Sequence, residues 1–296
     1  MAQSDAQIVG PHEVEILNSH GIGPKAFLGA GGESRVFAID EHRILRIFHG
    51  QGPIRDDSVD RLLASWRGTD LGFTLPVVLE AGYTDGQSWT VDRRVPGRSL
   101  REALERGDRE ERRRLLGSAL EVVSTLRRLP TGHDGFGLVA VPGAPRFTTL
   151  VDLLDERMDA GIAFGGGGFT ALVPDLAAQR SRMRETLADR EAVPHFVHND
   201  ICPGNLMARD GGASGVVDFS VHALAADPVM DLVGLVCMLG RYPGSDEDEV
   251  WLEGTLLDLL GGDGWLVEVY RRFYGAYYSM DPVCWQWGVS QFARPW

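Results

Sequence analysis

Residues 198–205 read His-Asn-Asp-Ile-Cys-Pro-Gly-Asn, and residues 215–219 read Gly-Val-Val-Asp-Phe. Phe196-Val197 leads into the first string as a short apolar strand, and Pro203-Gly204 forces a turn. Leu206-Met207-Ala208 predicts a strand, Arg209-Asp210-Gly211-Gly212 a hairpin turn, and Gly215 to Phe219 the return strand. A chain with this unit has little freedom. Asp200 and Asn205 face one centre across a loop, and Asp218 sits at a strand end beside them. One carboxylate can orient a hydroxyl and accept its proton, while an amide oxygen and a second carboxylate are hard ligands suited to the Mg²⁺ of a nucleotide. Asp200 fits the first role; Asn205 and Asp218 fit the second. Asp and Asn are also ordinary turn formers, but chance is a poor explanation for the whole string followed by a hairpin of the right length.

The 296 residues, 44% of them hydrophobic, suffice for a large core or for two lobes around a cleft. No run of about 18 apolar residues occurs, so no membrane span is expected. Met1 to Gly10 is polar and lacks the apolar stretch of a signal peptide. Cys202, Cys237 and Cys284 are far apart and offer neither a disulfide framework nor a zinc spacing, which points to a reducing cytoplasm. Cys202 lies close to Asp200 but reads as a small filler residue. A net charge of −13 argues against nucleic acid as a partner. It is a weak push toward a cationic substrate. Lys25 is the only lysine; the other 28 of the 29 basic residues are arginines.

The first half of the chain predicts strand, glycine-rich turn and strand. Pro11 to Ser19 reads as a helix, Phe27-Leu28 leads into Gly29-Ala30-Gly31-Gly32-Glu33-Ser34, and Arg35 to Ile39 and Arg43 to Phe48 are strands. Such a turn lets backbone N–H groups close over phosphates, because glycine permits close approach and positive φ. On its own it is equally an ordinary hairpin. In Ile44-Leu45-Arg46-Ile47-Phe48, alternation puts Arg46 on one face with Ile44 and Phe48. A charge on that largely apolar face needs a partner, and nucleotide phosphates can provide one. Ser58 to Arg67 is an amphipathic helix.

The string from Val197 to Asn205, then Val216-Val217-Asp218-Phe219, then Asp227-Pro228-Val229-Met230-Asp231-Leu232, resembles the aminoglycoside phosphotransferase and choline kinase group. His198-Asn199-Asp200 is similar to the choline kinase form of the motif; many antibiotic kinases carry Gly in the middle position. The resemblance runs from about residue 27 to about residue 240. It implies a protein-kinase-like α+β fold, with a small antiparallel-sheet lobe over residues 1–94 and a larger, mainly helical lobe over 95–296. It implies transfer of the γ-phosphate of ATP or GTP to a small-molecule hydroxyl, with Mg²⁺. Gly29, Gly31, Gly32 and Ser34 stand at the family's glycine loop, with looser spacing than G-x-G-x-x-G. Arg46 stands where the family holds a phosphate-binding lysine. The helix at 58–67 carries no Glu for that cation, leaving Asp57 or Asp60 as stand-ins. Asp92-Arg93-Arg94-Val95-Pro96-Gly97 matches the crossover whose backbone holds the base, which places Asp92 and Arg94 at the nucleotide.

Beyond Pro96 the chain predicts helices: Ser99 to Arg106, Asp108 to Leu129, Thr148 to Ala160, Pro174 to Arg190 and Leu224 to Leu239. The run Gly165 to Gly168 reads equally as a mobile acceptor loop and as a linker. Asp246-Glu247-Asp248-Glu249 could grip an amine, although acidic runs usually start helices. Aromatic residues crowd the C-terminus, where core packing is the plainer reading and a cation-binding wall the sharper one. His198 is expected to pack beneath the loop, Asp231 to brace it, and Asp227-Pro228 to start a helix. An antibiotic hydroxyl leads as acceptor. A metabolite acceptor of the choline, homoserine or sugar type is the alternative, and a nucleotide-binding pseudokinase is the alternative of another class. Oligomeric state is not assigned.

Overall fold

The computed structural model describes residues 10–49, 57–242 and 244–296; the polar stretch read at residues 1–9 lies outside them. Five antiparallel strands come first: β1 (Phe27–Ala30), β2 (Ser34–Ala38), β3 (Arg43–Phe48), β4 (Val77–Thr84) and β5 (Gln87–Arg93), in the order β1-β2-β3-β5-β4. Helix α1 (Pro11–Ser19) covers one face, where Ile16 and Leu17 pack on Phe37, Leu45, Ile47 and Val91. The two-residue period of the strands then fixes the other face. Arg46 pairs across to Val36 on one side and Thr90 on the other, and Ile44 pairs with Asp92. Opposed residues share a face, so Arg46, Thr90 and Asp92 all lie on the side away from α1. The alternation expected for β3 is what the structure has.

Helix α2 (Ser58–Ser65) belongs to a second, larger core. Val59 is buried in it, and Trp66 packs edge-on against Phe196 at 4.7 Å and Phe219 at 5.6 Å. After β5 the chain crosses to β6 (Arg98–Ser99), α3 (Leu100–Arg106) and α4 (Arg109–Thr125). Gly97 takes φ +114, and a Cβ there would sit 2.3 Å from the Ala208 carbonyl oxygen, so the crossover needs glycine at this point. Ser99 and Asp108 cap the two helices, accepting the N–H groups of Glu102 and of Glu110 and Glu111.

The rest comprises β7 (Phe136–Leu138), β8 (Arg146–Phe147), α5 (Leu150–Phe164), α6 (Phe169–Leu172), α7 (Leu176–Leu187), β9 (His195–Val197), β10 (Leu206–Arg209), β11 (Gly212–Val216) and β12 (Leu224–Ala226). It closes with α8 (Val229–Leu239), α9 (Asp246–Leu260), α10 (Leu266–Tyr277) and α11 (Trp285–Phe292). Strands order as β11-β10-β6 and β8-β7-β12-β9. The helix expected over 224–239 is divided: Leu224–Ala226 pairs as strand β12, and the Asp227 carboxylate, just ahead of α8, accepts the Val229 N–H at 3.0 Å. Helix α8 is buried from Met230 to Leu239 and forms the centre of the larger core.

The glycine run is a packed turn between α5 and α6. A Cβ on Gly165 would lie 2.1 Å from the Ser279 carbonyl oxygen, and one on Gly168 would lie 2.4 Å from the Trp285 ring. Gly161, one turn earlier on α5, makes the same approach, 2.3 Å from the Tyr277 carbonyl oxygen. Three glycines thus let the end of α10 and the chain after it press directly onto α5 and the turn that follows it.

Candidate active site

The loop after β9 carries Asp200, and it is held from beneath. The buried carboxylate of Asp231, on the first turn of α8, accepts the backbone N–H groups of His198 at 2.7 Å and Asn199 at 2.9 Å. His198 is fully buried, and its Nε2 meets the Val217 carbonyl oxygen at 3.1 Å. That oxygen only accepts, so Nε2 carries the proton. Burial pushes the imidazole's pKa down, partly offset by the carboxylate of Asp231. Burial pushes Asp231 up to about 6. Both residues take the bracing roles expected of them. Asn199 has φ +64, in the left-handed region where Gly and Asn are the favoured residues. This explains why either residue serves at the motif's middle position.

Asp200 itself is gripped on both oxygens. Asn205 Nδ2 donates to Oδ2 at 3.0 Å and to the Asp200 carbonyl at 2.9 Å, while the Tyr278 hydroxyl donates to Oδ1 at 2.6 Å. Burial raises the carboxyl above its ordinary value and the charge of Asp218 adds to this, while the donors Tyr278 and Asn205 act the other way. The result favours a carboxylate able to take up a proton. Cys202, nearby, has its thiol pushed up to about 11 by burial, which suits an inert filler residue.

Asn205 and Asp218 are brought together by the Val217 N–H, which donates to the Asn205 carbonyl at 2.9 Å. The amide nitrogen of Asn205 is committed to Asp200, so its Oδ1 is the atom left for a cation. The side chain of Asp218 is 45% exposed. Among the described residues, no group of three or more His, Cys, Asp or Glu side chains could hold a metal ion. One carboxylate and one amide instead fit Mg²⁺, which takes few protein ligands and completes its shell with phosphate and water.

Arg46 reaches this pair from the sheet. Its Nη2 donates to Asp218 Oδ1 at 3.0 Å, its Nη1 lies 3.9 Å from Asp92 Oδ2, and its Nε lies 3.4 Å from Ser34 Oγ. Its guanidinium also lies over the Phe48 ring at 5.3 Å. The acidic partner sought on the helix at 58–67 is not there: neither Asp57 nor Asp60 reaches Arg46, and Asp57 pairs with Arg61. Besides Asp218, the carboxylate beside Arg46 is Asp92, on the neighbouring strand.

Of the other residues read from the sequence, Ser34 lies beside Arg46, Gly29 lies in β1 opposite Val36, and Gly31 and Gly32 lie in the turn between β1 and β2. That turn closes by a hydrogen bond from Gly31 N–H to the Ser34 carbonyl at 2.9 Å. None of the three glycines has positive φ, contrary to part of the reason given for them, and a Cβ on any would meet nothing within 4 Å. The fold does not require them; what they leave is open space over the backbone, which is the room a phosphate needs. Arg94 is set apart. Its N–H donates to the His42 carbonyl at 2.8 Å, and it makes no ion pair with Asp218.

Sequence reasoning missed Tyr278 as a partner of Asp200. The signal available was a tyrosine pair ending an amphipathic helix, just ahead of Asp281-Pro282. The other C-terminal aromatics mostly pack as core: Tyr270, Phe273, Tyr274 and Tyr277 are all buried. The acidic run at 246–249 is largely occupied, Asp248 by Arg112 at 2.8 Å and Glu249 by Arg294 at 2.9 Å and Arg271 at 3.5 Å.

The sequence matches the phosphotransferase enzyme family over residues 26–271. A ternary complex of a thermostable mutant of aminoglycoside phosphotransferase APH(4)-Ia with ADP and hygromycin B is similar in structure, with TM-score 0.70 and 16% identity over 94% of this chain and 95% of that one. The gentamicin complex of APH(2″)-IIa has TM-score 0.56 and 16% identity over 98% of this chain and 97% of that one. The streptomycin–ATP complex of the same enzyme has TM-score 0.58 and 16% identity over 98% of each chain. No curated protein matches the chain. At such identities the structural likeness carries the fold, which is the kinase-like α+β fold expected. With the family match spanning most of its length, the chain belongs to the phosphotransferase enzyme family.

Proposed function

We propose that this protein moves the γ-phosphoryl group of ATP or GTP to a hydroxyl of a small molecule. The observation that carries the reading is the convergence of Asp200, Asn205, Asp218 and Arg46 at one cleft. Asp200 orients the acceptor hydroxyl and takes its proton as the oxygen bonds to the γ-phosphorus. The bond to the bridging oxygen breaks, and the electron pair leaves with the nucleoside diphosphate. Asn205 Oδ1 and the Asp218 carboxylate would hold Mg²⁺, which neutralises charge on the phosphate oxygens. Arg46 binds the phosphates, with Gly29, Gly31, Gly32 and Ser34 beneath them; the backbone of Asp92 and Arg94 forms the crossover on the base side, while the Asp92 side chain faces Arg46. The acceptor proposed first is an aminoglycoside-like or other antibiotic, given the ligands of the similar structures.

Within the metabolite alternative, an uncharged acceptor of the sugar type has one observation in its favour. The carboxylates at 246–249 that could have gripped amines are largely taken by arginines, whereas Arg241, stacked over Trp287 at 5.3 Å, adds positive charge beside Asp200. The pseudokinase reading loses ground, because Arg46 has acidic partners in Asp218 and Asp92 after all. Three unbridged cysteines, and no helix among the described residues long and apolar enough to cross a membrane, suit a cytoplasmic enzyme.

Turnover of MgATP and MgGTP on hygromycin B, kanamycin, choline and homoserine tests the reading. Asp200→Asn should lower kcat by about 10²-fold or more while leaving nucleotide binding nearly intact. A variant with full kcat on an accepted substrate refutes the assignment.

A further inference from the structure

We propose that Tyr278 is a positioning residue for the catalytic step, its hydroxyl fixing the Asp200 carboxylate in the rotation that receives the acceptor's proton. This rests on the reading of Asp200 as the catalytic carboxylate. An Asp side chain turns about its last bond in a broad, weakly restrained well. One hydrogen bond leaves the carboxylate able to swing, and two from opposite sides hold its plane. Asn205 Nδ2 supplies the first, 3.0 Å from Oδ2, and the Tyr278 hydroxyl the second, 2.6 Å from Oδ1. Each carboxylate oxygen has two lone pairs, so the tyrosine occupies one on Oδ1 and leaves the other for the incoming hydroxyl.

The tyrosine is itself held in place. Its ring stacks on Tyr274 at 5.9 Å and meets Tyr277 and Trp287 edge-on at 5.2 Å and 6.0 Å. The backbone on either side is pressed onto α5 by the approaches of Gly161 to the Tyr277 carbonyl and Gly165 to the Ser279 carbonyl. The Trp285 indole N–H ties down the Ser279 carbonyl at 2.8 Å. Burial pushes the phenol well above its ordinary value, so it remains a donor at neutral pH. The C-terminal segment therefore sets the geometry of a loop 78 residues away.

The chemistry needs no further reactant. The acceptor's O–H bond breaks and its proton passes to Asp200, the new O–P bond forms, and the γ-phosphorus parts from the bridging oxygen, with Tyr278 keeping its proton throughout.

The test compares Tyr278→Phe with Tyr274→Phe, and both with Asp200→Asn, in steady-state turnover of [γ-³²P]ATP with Mg²⁺, using water and then hygromycin B or kanamycin as acceptor. Tyr274 is a matched control, since its buried hydroxyl donates to the Met230 carbonyl at 3.1 Å and does not touch Asp200. Loss of one hydrogen bond to a charged group predicts that Tyr278→Phe lowers kcat about tenfold. KM for MgATP should stay within about twofold, because the nucleotide's own contacts are intact. Tyr274→Phe should keep wild-type kcat. Adding Tyr278→Phe to Asp200→Asn should cost nothing further, because the carboxylate it positions is gone. MgATP binding by fluorescence verifies that each variant is folded. If Tyr278→Phe matches the wild type while Asp200→Asn is inactive, or if both Phe variants lose kcat equally, the positioning role is overturned. If Asp200→Asn itself turns over like the wild type, the reading of Asp200 fails instead.

Discussion

Replacing Arg46 by alanine probes the whole cleft. The guanidinium joins three groups: Asp218 at 3.0 Å, Asp92 at 3.9 Å and Ser34 at 3.4 Å. The Asp218 contact is half-exposed and stabilises by at most about 1 kcal/mol. Asp92 is different, with a side chain only 3% exposed. Removing a cation from a buried carboxylate costs about 3–5 kcal/mol when the pair is close and hydrogen-bonded. At 3.9 Å this pair is looser, so about 2 kcal/mol in total is the reasonable figure. For a chain of this size that lowers Tm by roughly 3 °C. Function should suffer more. A hydrogen bond from a charged donor contributes about 1.5–3 kcal/mol, so loss of the phosphate contact should reduce kcat/KM by about 10- to 100-fold. KM for MgATP should rise and kcat fall together, since the contact serves ground and transition states alike. Arg46→Lys restores charge but cannot fork to three partners, and should fall between. Steady-state titration of MgATP and thermal melts with and without nucleotide measure both effects. If Arg46→Ala melts lower yet binds MgATP like the wild type, the side chain is a clasp between sheet and loop, and its phosphate role is refuted.

Three more outcomes follow from the geometry. Asp218→Ala should abolish Mg²⁺-dependent ATP binding; a variant whose ATP affinities match the wild type both with and without Mg²⁺ would place the metal elsewhere. Gly161→Ala puts a Cβ 2.3 Å from the Tyr277 carbonyl, so it should destabilise by about 1–3 kcal/mol through overpacking and should lower kcat by moving Tyr278; unchanged melting and turnover refute the seam's importance. His198 has its folded pKa pushed below the ordinary 6.5, so the stability it contributes is complete above that value. It is lost as pH falls below 6.5, because the unfolded chain binds the proton first. Urea unfolding from pH 7.5 down to about 5.5 should therefore show a steeper loss, up to about 1.4 kcal/mol per pH unit, in wild type than in His198→Gln; parallel slopes rule it out.

What the sequence made legible was local. Asp200, Asn205 and Asp218 are joined by one turn and one hairpin, which turn chemistry made legible, but the return strand runs Gly212–Val216 rather than Gly215 to Phe219, and Asp218 lies past its end with φ +65. Alternation in β3 likewise put Arg46 on the correct face. The missing pieces are pairings over distance. Tyr278 meets Asp200 across 78 residues, and no local pattern states which tyrosine of a crowded helix end will point at the loop. Asp92 was read as part of a backbone-binding crossover, although its side chain faces Arg46, because strand register between β3 and β5 is not written in either strand alone. Gly165 to Gly168 looked loose by composition; its role depends on the carbonyl and the indole that press against it.

The presence of arginine rather than lysine at position 46 has a practical chemical consequence. A guanidinium is not an amine nucleophile, so amine-directed reagents find no target at position 46. The only lysine side chain, Lys25, is exposed in the short turn (Pro24–Ala26) ahead of β1. Acylating probes that mark nucleotide-binding lysines in other enzymes should leave the cleft untouched and carry a label on that turn. A dye placed there sits one strand from the glycine turn, on the lobe whose sheet holds Arg46.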